Sequence, residues 1–377
     1  MFVEGKWLYN YLVNNIYENQ DFDLFKFNPL SMKTVIHKDK DKNDIESELR
    51  YLPSSVKQTI VKQVVSSLKT LKTLRTKGFQ KHGRLNFISE LTSINLKQYG
   101  VTHEIRSSTK MKLQGISKLV KVSGIQQIKN IKGIDFANAN ILNTPNGYYV
   151  AITCYEDKNL KRKVKTNGKT IGIDFGCQTS LTYSDGTKQN ISFEESDRLK
   201  ILQRKLSKKT KRSNRRDKLI RKIGKQYQHM NNKKIDISNK IVHELKQYDK
   251  IIIQDEQLSK WMKFGHGRKI SHGCLGLIKS KLMKMDNVVV LDKYIPTTKL
   301  CTSCGNVHDT LTQYDRTFIC PKCGSTMDRD VHAAWNMVWI YDNLVGRDAT
   351  EFTLKEFKTS IAKTQLMCPN NKLRTQN

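Results

Sequence analysis

The sequence predicts a multidomain α/β protein, on three observations. Apolar residues recur at helical spacing over residues 1–85, β-branched residues and short alternating segments fill 86–165, and residues 166–345 alternate apolar strands with basic helices around a four-cysteine motif. A chain of 377 residues is long enough for two or three domains with a sizeable core.

The elements follow in order. In the helical lobe 1–85, Trp7, Leu8, Leu12 and Ile16 mark a first helix, and Val56, Ile60, Val64, Leu68 and Leu71 mark a long amphipathic one. Pro53 suits the start of that helix, and Gly78 and Gly83 punctuate its end. In the β-rich, barrel-like module 86–165, the stretch 136–156 reads as two strands joined at Pro145, Asn146 and Gly147. The core 166–299 opens with a strand ending at Asp174, a tight glycine turn and a second strand reaching Asp185 and Gly186. A basic helical pair at 194–248 comes next, with a bend at the basic run 208–218. Its apolar positions are Ile220, Ile223, Tyr227 and Met230, then Ile237, Ile241 and Leu245. Short buried strands follow at 250–258, ending in Asp255 and Glu256, and at 287–294. Residues 300–326 hold the cysteine motif, 327–345 a final helix, and 346–377 a tail of weak signals, expected to be disordered in part.

Charge is the loudest global signal. Sixty-seven Lys and Arg against 35 Asp and Glu give a net charge of +32, so a polyanionic partner is the natural expectation. The charge is clustered: Ile201 to Lys222 carries eleven Lys or Arg and one acid, Asp217. Arg204, Lys205, Lys208, Lys209, Lys211, Arg212, Arg215 and Arg216 are the candidate phosphate contacts, with a solvated charged face as the alternative. No apolar run approaches the ~20 residues of a membrane span. The start, MFVEGKWLYNYLVNNIYENQ, lacks the pattern of a signal peptide, which predicts a cytoplasmic protein without membrane contact.

Cys301, Cys304, Cys320 and Cys323 form C-x2-C-x15-C-x2-C, with Gly305 and Gly324 after the pairs. Four thiolates at this spacing suit one zinc ion in a closed tetrahedron, a structural staple with no open position for chemistry. Cys154, Cys177, Cys274 and Cys368 lack partner spacing and are read as reduced.

Three groups of acids stand at the ends of apolar strands or the start of a helix: Asp174; Asp255 and Glu256; and Asp328 and Asp330. Carboxylates so placed need a partner or a cation. Converging, three of them would hold two Mg²⁺ ions for phosphodiester hydrolysis. Each alone could also be an exposed strand end, and Asp328 a helix N-cap.

The sequence GIDFG at 172–176, the basic helical pair, the strand ending in acids, and CTSCG with DRTFICPKCG and DRDVHAAWN resemble the TnpB family of transposon-encoded, RNA-guided DNA endonucleases, which is similar to the type V CRISPR effectors. The resemblance covers about 85–340 and is sharpest over 298–336. It implies a RuvC-type nuclease core of RNase H fold, a zinc-ribbon insert, a β-barrel wedge module, an N-terminal helical recognition lobe, and a guide RNA transcribed from the transposon end. It assigns Asp174 as first acid and Asp330 as third, with His332 where Asn is common. Many members end the middle strand in Glu-Asp-Leu; here the Glu position is Gln254. Side chains alternate along a strand, so Glu256 shares the face of Gln254 while Asp255 points away, and Glu256 is the expected second acid. If both positions reach one metal pair, Gln254→Glu is expected to restore some activity to a Glu256→Gln variant. Members usually open with a β-strand before the first helix, whereas this chain starts almost in the helix.

The expectation is an Mg²⁺-dependent endonuclease that pairs a guide RNA with a double-stranded DNA target in the cytoplasm of a prokaryote, with Asp174, Glu256 and Asp330 catalytic. The alternatives are a nuclease-inactive RNA-guided repressor, and a guide-free nuclease such as a junction resolvase or a cut-and-paste transposase; the zinc ribbon ahead of the last acid argues against the two guide-free readings.

Overall fold

In the computed structural model the chain forms two compact units, Met1–Arg162 and Lys163–Asn377. The described residues are 1–39, 43–79, 83–129, 131, 133–157, 165–211, 213–262, 265, 267–312, 314–345 and 349–367.

The first unit contains α1 (Phe2–Glu18), β1 (Thr34–Lys38), β2 (Asp44–Glu48), α2 (Ser54–Thr76), β3 (Ser93–Leu96), β4 (His103–Ile105), β5 (Lys110–Leu113), β6 (Val120–Lys121), α3 (Gln126–Lys129), β7 (Ile134–Thr144) and β8 (Gly147–Glu156). Leu8, Leu12 and Val13 of α1 share one core with Val56, Ile60 and Val64 of α2. Pro53 is the N-cap of α2. The helical reading of 1–85 misses the antiparallel hairpin β1–β2. Its strands are five residues each and mostly polar, with Val35 buried and Ile36 exposed, so their alternation is faint beside the flanking helical periods. The strands of 86–165 form two three-stranded sheets, β3-β7-β8 and β4-β5-β6, whose pairing does not close into a ring among the described residues. The physical reason is length: β6 has two residues, too few to carry pairing onward. The β7–β8 turn falls where expected, with Thr144 opposite Gly147.

The second unit contains β9 (Thr170–Phe175), β10 (Leu181–Tyr183), β11 (Lys188–Gln189), α4 (Asp197–Ser207), α5 (Asn214–Leu245), β12 (Lys250–Gln254), α6 (Leu258–Trp261), α7 (Gly267–His272), α8 (Leu275–Leu282), β13 (Val288–Leu291), β14 (Thr317–Ile319), β15 (Thr326–Asp328), α9 (Arg329–Leu344), β16 (Glu351–Phe352) and α10 (Leu354–Met367). Six strands form one sheet in the order β11-β10-β9-β12-β13-β16. The first three pair antiparallel; β9, β12, β13 and β16 run parallel. Strand β12 is apolar on both faces because both are covered. Ile251 and Ile253 enter a core with Ile241, Leu245, Ile278 and Leu282, while Ile252 enters another with Val289, Met337 and Ile340.

Helix α9 lies directly on β9. A Cβ at Gly172 would collide with the carbonyl oxygen of Ala334, so glycine in the strand and the small Ala333–Ala334 pair in the helix allow the close approach. Helix α5 is a single helix of 32 residues spanning both apolar stretches read from the sequence. Ile220 and Tyr227 do not line a packed face; they are 47% and 45% exposed. The tail holds more structure than its signals suggest. Phe352 of β16 and Phe357 of α10 are buried in the core around Met337 and Ile340, a tertiary burial that short segments do not advertise. Cys368 lies outside the described residues.

Candidate active site and nucleic-acid interface

The four Sγ atoms of Cys301, Cys304, Cys320 and Cys323 lie within 4.8 Å of one another. Local turns build this cluster. The N–H of Gly305 donates to the Cys301 carbonyl at 2.7 Å and that of Gly324 to the Cys320 carbonyl at 2.9 Å. Both glycines are left-handed, at φ 70° and 72°, a conformation that a side chain would strain. Burial pushes the Cys301 thiol up to about 12. Burial also opposes the Cys320 thiolate, but the backbone N–H groups of Cys323 and Lys322 outweigh it and bring Cys320 down to about 6. Such a crowd of thiols fits zinc, which takes all four as thiolates. The ribbon is tied to α9 by a ring stack: His332 lies on Phe318 at 3.8 Å and 13°. Burial holds His332 down at about 4, so it stacks as a neutral ring.

Asp174 is the penultimate residue of β9, on the face toward α9 that it shares with Gly172 two residues earlier. Burial holds its carboxyl well above the usual range, and the neighbouring charges of Asp330 and Glu256 push the same way, with Arg329 opposing. Asp174 thus feels both of the other expected acids, although the three stem from a strand, a loop and a helix. Asp330 Oδ1 accepts from Arg329 Nη2 at 3.0 Å and Nε at 3.3 Å. Asp328 takes a different role. It caps α9, accepting from the N–H groups of Asp330 and Val331 at 3.1 Å each, and pairs with Lys188 at 2.7 Å. Among the described residues the cysteine cluster is the one set of three or more donors that closes to 4.8 Å; the carboxylates do not.

The strand β12 sorts its last residues by face. Asp255 turns to α8, where Lys279 Nζ meets its Oδ1 at 2.7 Å and the Glu256 carbonyl at 2.7 Å. Burial raises the Glu256 carboxyl, with Lys279 opposing. Gln254 is buried, and its amide is fully engaged. Nε2 donates to the carbonyls of Ile295 at 2.8 Å and Asp292 at 3.1 Å, and Oε1 accepts from Thr297 Oγ1 at 2.8 Å. From α9, Asn336 Nδ2 donates to the carbonyls of Thr297 and Leu300 at 2.7 Å each. Gln254 and Asn336 therefore clamp the segment that enters the knuckle at Cys301. The condition on which Gln254→Glu would restore activity is disfavoured by these surroundings: a carboxylate at 254 would face two carbonyl oxygens in a buried site.

The basic run sits at the α4–α5 junction. Lys205, Lys208, Lys209 and Arg215 line a cavity of about 380 Å³ with Lys218, Leu219 and Lys222. Arg204 and Lys211 are exposed, and Arg212 lies outside the described residues. Arg216 is turned inward, donating from Nη1 to the Leu206 carbonyl at 3.2 Å, where it satisfies the end of α4. Sequence reasoning missed Lys218 and Lys222, although Arg215, Lys218 and Lys222 share one helix face by their spacing. It also missed Lys279, which carried no signal, and Arg329, which lay in the Asp-Arg-Asp motif read only for its acids.

Two family models match the second unit. One, described as "Probable transposase", covers residues 152–263 and takes in Asp174, the basic junction and Glu256. The other, "Cas12f1-like, TNB domain", covers 277–337 and takes in the knuckle, Asp330 and Asn336. A relative from Streptomyces pristinaespiralis, named as an RNA-guided DNA endonuclease, is 30% identical over 201 residues, covering 51% of this chain and 49% of its own. The TnpB-like proteins L79 and L770 of Acanthamoeba polyphaga mimivirus are 30% identical over 204 residues, covering 47% of this chain and 38% of theirs. Over residues 152–337 the chain is thus similar to TnpB proteins and their relatives. The alignments span about half, or less, of the length of these curated relatives. The matched segments hold the four-cysteine knuckle and Asp174, Glu256 and Asp330 within one fold unit. No helix among the described residues is long and apolar enough to cross a membrane.

Proposed function

We propose that the protein is an RNA-guided DNA endonuclease of the TnpB type, with Asp174, Glu256 and Asp330 as its catalytic acids. The observation that carries the reading is the rise of the Asp174 carboxyl, caused by burial and then by Asp330 and Glu256, three acids far apart in sequence. A desolvated carboxylate between two others calls for cationic charge, and an all-oxygen donor set suits Mg²⁺. Bound there, Mg²⁺ supplies activation of the attacking water and stabilisation of the leaving oxygen in phosphodiester hydrolysis. The sheet supports a RuvC-type core of RNase H fold. Chain order reverses between β9 and β12, and the crevice beyond the carboxyl ends of strands at such a switch point is where ligands bind in open α/β sheets.

The chain's own groups divide the work. Lys279 fixes Asp255 and the Glu256 carbonyl, which anchors the backbone from which the Glu256 side chain springs. The Gln254–Asn336 clamp and the His332–Phe318 stack tie the zinc ribbon to the strand and helix that carry the acids. The cationic cavity at the α4–α5 junction holds phosphates of a guide–target duplex, while guide pairing reads the sequence. The first unit supplies the recognition and wedge functions, and the guide derives from the transposon end in a prokaryotic cytoplasm.

The test is purification together with the flanking element DNA, sequencing of co-purified RNA, and cleavage assays in Mg²⁺ with the loaded protein. Asp174→Ala, Glu256→Gln and Asp330→Ala are each expected to lower cutting on the order of a thousandfold, the scale of losing one preorganised charge, with target binding nearly intact. Asp255→Asn is expected to cut within a few fold of wild type. Binding without cutting by the wild type would replace this reading with the nuclease-inactive binder, for which the amide at Gln254 is the specific observation.

A further inference from the structure

Arg329 stands where a cation is wanted. Two of its nitrogens donate to the same oxygen, Asp330 Oδ1, at 3.0 and 3.3 Å. The pair is poorly hydrated, with side chains 16% and 20% exposed. Its Nη1 donates to the Thr312 carbonyl at 3.2 Å, in the loop between the two halves of the knuckle.

We propose that Arg329 is the built-in counter-ion of the metal-free carboxylate site, holding Asp330 by one carboxylate oxygen, Oδ1, so that a divalent cation loading there competes with the guanidinium for Asp330. The inference rests on the carboxylate reading given above. A guanidinium does not lose its proton at physiological pH, so only a competing cation of higher charge density displaces it. Asp174, Asp330 and Glu256 remain apart in its presence, whereas the four thiols of the knuckle, formed by local turns, stand together. The Thr312 carbonyl offers the displaced guanidinium a place to stay, which makes the ribbon the holder of the released arm. A support role would act in the opposite direction: if Arg329 merely fixed Asp330 in position, its removal would weaken cation binding.

The experiment measures Mn²⁺ binding by the loss of its free-ion electron paramagnetic resonance signal, on the full-length protein with zinc already bound and no nucleic acid. Arg329→Gln is expected to bind Mn²⁺ about tenfold more tightly than wild type, the scale of one charge-assisted hydrogen bond. Arg329→Lys, which keeps the charge and loses the fork, is expected to fall between them. Zinc content of each variant checks that the ribbon still folds. Arg329→Gln and Arg329→Lys both binding Mn²⁺ as wild type, or more weakly, would overturn the competitor role. Asp174→Asn is measured beside them and is expected to bind more weakly. If it binds as tightly as wild type, the carboxylate site itself is wrong and this inference falls with it. If it weakens binding while the Arg329 variants do not strengthen it, the site stands and only the counter-ion role fails.

Discussion

The four-cysteine knuckle and the three acids Asp174, Glu256 and Asp330 are positioned in opposite ways. The knuckle draws its ligands from two short turns, each closed by its own backbone bond and a left-handed glycine, and its sulfurs meet within 4.8 Å. The carboxylates come from β9, the loop after β12 and the first turn of α9, and they do not close to that separation. The knuckle is therefore made by local geometry. The carboxylate site is made by a sheet register, a helix packed over Gly172, and a guanidinium that stands against Asp330.

That contrast is testable, and its largest effect is expected at the knuckle. Cys320→Ser should reduce zinc from about one ion per chain to a small fraction, read by metal analysis, because a closed tetrahedron tolerates no missing thiolate. The same variant should loosen Asp330, seen as faster amide exchange over 328–336, since Phe318 and the clamp both depend on the ribbon. Retained zinc, or unchanged exchange, would separate the two clusters that the fold joins.

Gln254→Glu should come next. Its carboxylate would face the carbonyls of Asp292 and Ile295, at a cost of about 3 kcal/mol. The expected fall in Tm is roughly 6–12 °C for a unit of this size. In a Glu256→Gln background it should rescue no cutting; rescue with a wild-type Tm would show that position 254 reaches the cation site after all.

The basic junction offers a smaller, graded effect. Changing Lys205, Lys208, Lys209 and Lys218 to Gln should lower the slope of log binding constant against log salt by about 0.7–0.9 for each phosphate left without its cation. Arg216→Gln should leave the slope unchanged, since that guanidinium serves the Leu206 carbonyl. Equal slopes for both variants would make the run a solvated face.

The smallest effect should be a gain. The Asp174 carboxyl titrates above its ordinary 3.8 in the folded protein, so its ionised form weakens the fold at neutral pH. In Mg²⁺-free buffer at pH 7, Asp174→Asn should raise Tm by about 2–4 °C. The gain should vanish as pH falls below 3.8, where the carboxyl is protonated both folded and unfolded. A loss of stability at pH 7 would mean that the three acids are not strained by one another.

Residue order alone was enough for whatever depends on neighbours along the chain. The cysteine spacing specified the knuckle, the basic run 208–218 marked the bend between α4 and α5, and the Pro145–Gly147 turn joined β7 to β8. The apolar Ile251–Ile253 run announced a strand covered on both faces. Alternation along that strand also put Gln254 and Asp255 on different sides, but it could not say what each side contained. Only the tertiary structure decided that Gln254 clamps the ribbon entry, that Lys279 takes Asp255, that Arg216 turns inward and that Arg329 holds Asp330. The hairpin β1–β2 and the burial of Phe352 and Phe357 were likewise decided by packing. The reason is physical: turns and caps are closed by residues a few positions apart, whereas the partner of a buried polar or charged group is set by whichever distant element the core brings beside it.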